Sequence, residues 1–173
     1  MLLFATLGLS LFAVNVLDLL FPVSYHGQSL TITLVALSTV FYSISTVFNV
    51  GVTLERKTWL IFISLLFSAL LNVGVNIVLI PLYGATGAAI ATLVAFIALA
   101  LVSYLFNQRI YPVPFEISLF LGALGIGIVL YFVDSGLAQG QNDITVWGIH
   151  IGLLLLYGGA LVVLGLLSSH RKK

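Results

Sequence analysis

Six apolar runs, each long enough to cross a bilayer, occupy most of this chain and are joined only by short connections. A helix needs roughly 20 apolar residues to traverse a hydrocarbon core ~30 Å thick. The runs cover residues 2–21, 30–52, 58–80, 87–106, 115–133 and 146–167. That pattern leaves no stretch for a soluble domain and predicts a single all-α, multi-pass membrane domain over residues 1–173. Composition agrees: 61% of the 173 residues are hydrophobic and 6% are charged, whereas soluble domains carry about 25% charged residues. So little charge also excludes a disordered tail and a nucleic-acid binder. Cysteine is absent, which removes disulfides, thiolate metal sites and cysteine nucleophiles.

The polar punctuation respects the same division. Asp18 and Glu116 are the only charged residues inside the runs, each within a turn of an end, as expected when a mid-bilayer charge costs at least ~2.5 kcal/mol. Pro22, Pro81, Pro112 and Pro114 fall at run ends, where a missing N–H does least harm. Trp59 and Trp147 open the third and sixth runs, as interfacial anchors do. Arg56, Lys57, Arg109 and the tail Arg171, Lys172 and Lys173 fall on one side of a six-span layout. The positive-inside rule then expects both termini in the cytoplasm and the protein in the cytoplasmic membrane. His26, Asp134 and Asp143 belong to the opposite side, with Asp18 near it.

Polar residues within the runs are the candidates for function, because unpaired polar groups are expensive in lipid. Thr31, Ser38, Tyr42, Ser45 and Asn49 fall within a ~60° arc at about 100° per residue, making a stripe along the second span. Ser64, Ser68, Asn72 and Asn76 recur every fourth residue in the third. Two readings stay open: these residues line a polar path for a substrate, with Tyr42 and Ser45 facing water, or they join helices by hydrogen bonds worth ~0.6–2 kcal/mol each. Asn15 and Asp18 share a face near the outer surface; Asp18 is the candidate for coupling to a proton or cation, or else an ordinary interfacial carboxylate. His150, one turn inside Trp147, reads as a structural histidine. Gly148 with Gly152, and Gly84, Gly87, Ala88 and Ala91, permit close helix approach.

Enzyme signatures are missing. There is no His-Glu-x-x-His and no phosphate-binding Gly-x-x-x-x-Gly-Lys. The fourth span's only serine, Ser103, lies at the end opposite to His150, so a rhomboid-like serine protease is not expected. No cofactor and no metal site is implied.

One stretch goes further. Residues 72–92 read Asn-Val-Gly-Val-Asn-Ile-Val-Leu-Ile-Pro-Leu-Tyr-Gly-Ala-Thr-Gly-Ala-Ala-Ile-Ala-Thr. This resembles the C-terminal region of polysaccharide (O-antigen type) flippases, in the multidrug/oligosaccharidyl-lipid/polysaccharide exporter superfamily that includes the MATE transporters. The residues carrying the likeness are Asn72, Asn76, Ile80, Pro81, Tyr83, Gly84, Gly87, Ala88, Ala89, Ala91 and Thr92. Leu20, Phe21 and Tyr25 are similar to the family's Leu-Phe-Gly-x-x-Tyr, with Pro22 in place of Gly. Tyr111, Pro112 and Pro114 are similar to its basic-Tyr-Pro-x-Pro connector.

The resemblance implies a two-lobe transporter of lipid-linked oligosaccharide, of which these spans would form the later C-lobe helices and the terminal helix pair. It implies that a missing N-terminal lobe, or a second copy, completes the cavity, and that a chain split or begun at an internal Met is inactive alone. The expected partners are the bilayer and the lipid-linked sugar. Two other functions stay open: a non-transporting interaction subunit of a polysaccharide biosynthesis complex, and a small homodimeric exporter.

Overall fold

The computed structural model describes residues 2–12, 29–112, 117–137 and 143–170. Among these it is all-helical: α1 (Leu2–Leu11), α2 (Ser29–Phe48), α3 (Val50–Leu54), α4 (Trp59–Ile110), α5 (Ile117–Leu137) and α6 (Asp143–His170). Three helical stretches are long and apolar enough to cross a membrane, Leu30–Leu54, Trp59–Ile110 and Thr145–Val163, and Leu119–Asp134 is a shorter apolar one. Many large apolar side chains lie on the surface, and several polar ones are buried beside the apolar core. Phe62, Leu70, Ile77, Phe132 and Leu155 are exposed, while Ser64, Ser103, Asn107 and His150 are buried. That distribution suits a protein solvated by hydrocarbon, where apolar side chains gain nothing by hiding and polar ones must find partners inside.

The chain divides into two compact units, residues 27–114 and residues 1–26 with 115–173. The first is built on the 52-residue α4, which doubles back on itself. Two residues cause the reversal. Pro81 lacks the N–H that would continue the helical ladder, and Gly84 takes φ 56° and ψ −130°, a conformation that a Cβ makes costly. Nothing lies within 4 Å of the position a Gly84 Cβ would take, so the restriction there is purely one of backbone. The two arms, residues 59–83 and 85–110, then pack antiparallel. Ser68 meets Ala95 and Asn72 meets Thr92. At the tip, Gly87 lies so close that a Cβ would sit 2.6 Å from the Leu79 carbonyl carbon.

Helix α2 runs beside the second arm in the same direction: Thr31 pairs with Thr86, Tyr42 with Phe96 and Phe48 with Tyr104. The span expected at 30–52 runs as one helical stretch, Leu30–Leu54. Asn49, an αR residue without a side-chain cap, joins α2 to the short α3 while its N–H donates to the Ser45 carbonyl and its carbonyl accepts from Thr53 N–H, each at 3.0 Å. Gly51 of α3 touches Asn107 and Tyr111 so closely that a Cβ would come within 2.8 Å of the Tyr111 Cβ. α3 closes with a Schellman arrangement: Arg56 N–H donates to the Thr53 carbonyl and Lys57 N–H to the Val52 carbonyl, each at 3.0 Å. The αL position this motif needs, usually glycine, is filled by Arg56 at φ 56°. α4 ends at Ile110, with Tyr111 extended (φ −143°, ψ 88°), as a residue before proline prefers. The Asn107 amide donates to the Tyr111 carbonyl at 3.1 Å.

In the second unit, α6 runs antiparallel to both α1 and α5. Phe4 stacks on Tyr157, Gly8 faces Leu154, and Phe12 packs on Trp147 and His150. Leu7, Leu11, Leu130 and Tyr157 form its core. The Tyr157 hydroxyl donates to the Ala123 carbonyl at 2.9 Å, and Gly127 leaves room for the ring. α5 extends past the expected end at 133, through Asp134 to Leu137, and α6 begins three residues before 146. An interfacial charge marks where lipid ends and leaves helix hydrogen bonding intact.

Candidate functional site

The polar residues of the α4 hairpin converge on the seam between its arms. The four-residue spacing of Ser64, Ser68, Asn72 and Asn76 aims one face of the first arm at the second. Ser64, fully buried, returns its hydroxyl to the Leu60 carbonyl at 2.9 Å. Ser68 donates across the seam to the Ala95 carbonyl at 2.8 Å. Next comes a directional relay: the Asn76 amide donates to Asn72 Oδ1 at 2.9 Å, Asn72 Nδ2 reaches Thr92 Oγ1 at 3.5 Å, and Thr92 donates to the Ala88 carbonyl at 2.9 Å. Asn76 Oδ1 is buried without a hydrogen-bond partner among the described residues.

Beside this relay the seam opens into a groove of about 250 Å³, lined by Leu65, Ser68, Ala69, Asn72, Thr92, Ala95, Phe96 and Leu99. No titratable side chain lines it. Its chemistry is that of amides, hydroxyls and one aromatic ring, set in an apolar wall. Such a surface can accept and donate neutral hydrogen bonds and stack against the C–H face of a ring. No group of three or more metal-ligating side chains occurs among the described residues.

The stripe on α2 is divided among three settings. Tyr42, 47% exposed, lays its ring 5.2 Å from Phe96, itself a wall of the groove. Thr31 shares a 3.0 Å hydrogen bond with Thr86 near the hairpin tip. Ser38 and Ser45 are buried and return their hydroxyls to the Val35 and Tyr42 carbonyls. Asn49 stands at the far end, at the junction with α3. Asn72 and Asn76 are therefore in contact, Tyr42 approaches them through Phe96, and Thr31, Ser38, Ser45 and Asn49 stand apart. Asp18 lies outside the described residues.

Charge is polarised along this unit. Arg56 and Lys57 follow α3, and Arg109 lies in the last turn of α4, at the end where Gly51 meets Asn107 and Tyr111. The opposite end holds Thr31, Thr86 and the Gly84 turn. The grouping of Arg56, Lys57 and Arg109 expected from the sequence is present within the unit.

Sequence reasoning missed a pairing in the other unit. His150 Nε2 lies 3.1 Å from Asp134 Oδ1, with both side chains largely buried. The sequence held only a partial signal: the two residues stand either side of one interhelical connection. His150 taken by itself carried no such information.

The chain matches no family model, no curated protein and no solved structure.

Proposed function

We propose that this chain is a non-enzymatic, C-terminal part of a polysaccharide flippase, taking part in moving a lipid-linked oligosaccharide across the cytoplasmic membrane. The observation that carries the reading is the uncharged amide–hydroxyl groove set into the α4 hairpin, turned by the same Ile80-Pro81-Leu82-Tyr83-Gly84 segment that resembles the exporter family. A sugar headgroup crossing hydrocarbon must trade water for neutral hydrogen-bonding groups, and Ser68, Asn72 and Thr92 with Phe96 offer those. On this reading the helices make six crossings, with both termini, Arg56, Lys57 and Arg109 on the cytoplasmic side. A second lobe, from an N-lobe-like partner or a second copy, would close the groove into a cavity, because alternating access requires two bodies that repack against each other.

The test is photo-crosslinking in proteoliposomes. A polyprenyl-diphosphate oligosaccharide bearing a photoreactive sugar is expected to label the groove walls, Leu65 to Asn72 and Thr92 to Leu99. Asn72→Ala is expected to reduce that labelling several-fold. Labelling that excess non-photoreactive polyprenyl-diphosphate oligosaccharide fails to reduce, while polyprenyl phosphate alone reduces it as well, would overturn the proposal.

A further inference from the structure

Asp134 and His150 are the one carboxylate–imidazole contact among the described residues, and their surroundings bear on what they do. His150 Nε2 stands 3.1 Å from Asp134 Oδ1, and the two side chains keep 5% and 12% of their exposure. Neither Asp134 Oδ1 nor His150 Nδ1 has a hydrogen-bond partner among the described residues, so the two groups face each other closely without a straight hydrogen bond. Phe12, just past the end of α1, closes over the imidazole edge-on, ring centres 5.0 Å apart at 83°, and Trp147 packs on Phe12 at 5.2 Å. The described part of α1 contributes no titratable group. α5 contributes Asp134 and, a turn earlier, Tyr131; α6 contributes His150 and, two turns on, Tyr157, whose hydroxyl is committed to the Ala123 carbonyl.

We propose that Asp134 and His150 form a proton-binding site that clasps the ends of α5 and α6, closed while the pair holds one mobile proton and released when it takes a second. The charge arithmetic follows from burial. With no mobile proton, the neutral imidazole faces a carboxylate whose charge is unbalanced in an apolar surround. One proton makes the pair electroneutral, as carboxylate with imidazolium, and the two charges hold the helices together. A second proton lands on the carboxylate, leaving an unpaired buried imidazolium that is stable only once water reaches it. Release therefore comes on the acid side. The pair's chemistry does not depend on what the chain transports.

Trp147 is a built-in reporter, since a protonated imidazole one helical turn away quenches indole emission. The assay uses the full chain in nanodiscs with Trp59→Phe, so that Trp147 is the only tryptophan, scanned from about pH 9 to pH 4 around the usual histidine range. The expected result is a quenching step as the first proton binds, then a red shift as the end opens. His150→Gln should abolish the quenching step. Asp134→Asn should move it at least one pH unit lower, a tenfold loss of proton affinity. His150→Gln should lose the acid red shift, and in Asp134→Asn the red shift should coincide with the quenching step, because the first proton already leaves an unpaired imidazolium.

A second measurement leaves the pair untouched. With His26→Gln and His170→Gln, His150 is the sole histidine, and its NMR titration should show the same midpoint as the quenching step. Emission that does not change with pH overturns the proposal. So does a quenching step that survives His150→Gln, an unmoved midpoint in Asp134→Asn, or an NMR midpoint that differs from the optical one.

Discussion

Replacing Gly87 with alanine tests the hairpin directly. An alanine Cβ at this position would sit 2.6 Å from the Leu79 carbonyl carbon and closer still to its oxygen. Carbon contacts are most favourable at about 3.5–4.0 Å, so the arms must part by roughly 1 Å near the tip. The obstruction is backbone, which has no rotamer by which to yield. Overpacking of this kind costs ~1–3 kcal/mol. Parting the arms also stretches the Asn72–Thr92 contact, already 3.5 Å, and loads the Ser68–Ala95 bond at 2.8 Å, each worth ~0.6–2 kcal/mol in a membrane. The expected loss is about 2–4 kcal/mol.

Gly74 supplies the control. It is exposed on the first arm, with nothing within 4 Å of the position of a Cβ. Gly74→Ala should therefore be neutral, or stabilise by up to ~1 kcal/mol through helix propensity. Both variants would be unfolded by titrating SDS into mixed micelles, in a Trp147→Phe chain so that Trp59, at the start of the hairpin, reports. The reasoning fails if Gly87→Ala is no less stable than Gly74→Ala.

Two further perturbations check other parts of the structure. Arg56 pays an αL penalty of about 1–2 kcal/mol at φ 56°, so Arg56→Gly should be more stable than Arg56→Ala by roughly 0.5–1 kcal/mol after glycine's entropy is counted; equal stabilities would remove the Schellman account. Tyr157→Phe should cost about 1 kcal/mol for the lost bond to the Ala123 carbonyl, against ~3–5 kcal/mol for Tyr157→Ala, which leaves a cavity; equal losses would mean that the hydroxyl, rather than the ring, holds the second unit together.

What could be read from the sequence was whatever depends on near neighbours. The apolar runs of the hairpin and the turn between them follow from composition and from Pro81 and Gly84, whose effects are local. The contact between Asn72 and Asn76 follows from a spacing of four. Helix ends were less legible, because α5 runs through Asp134 and α6 starts at Asp143, and charge reports the lipid boundary rather than the end of hydrogen bonding. Least visible were relations set by tertiary packing. Ser38 and Ser45 lie on the same arc as Tyr42, yet they are buried while the larger tyrosine reaches out to Phe96. The Asp134–His150 contact needs two helices aligned at the right depth, and no pattern within either helix records that.

The hydroxyls of α2 have a mechanical consequence. Ser38, Thr39, Ser43, Ser45 and Thr46 each donate to a carbonyl three or four residues back in the same helix. Every such bond competes with the main-chain ladder for the same oxygen and softens the rod at that point. Five of them between residues 38 and 46 make the second half of α2 a compliant elbow. When this unit flexes, the give should come there, carrying Tyr42 toward or away from Phe96 and so widening or narrowing the mouth of the groove.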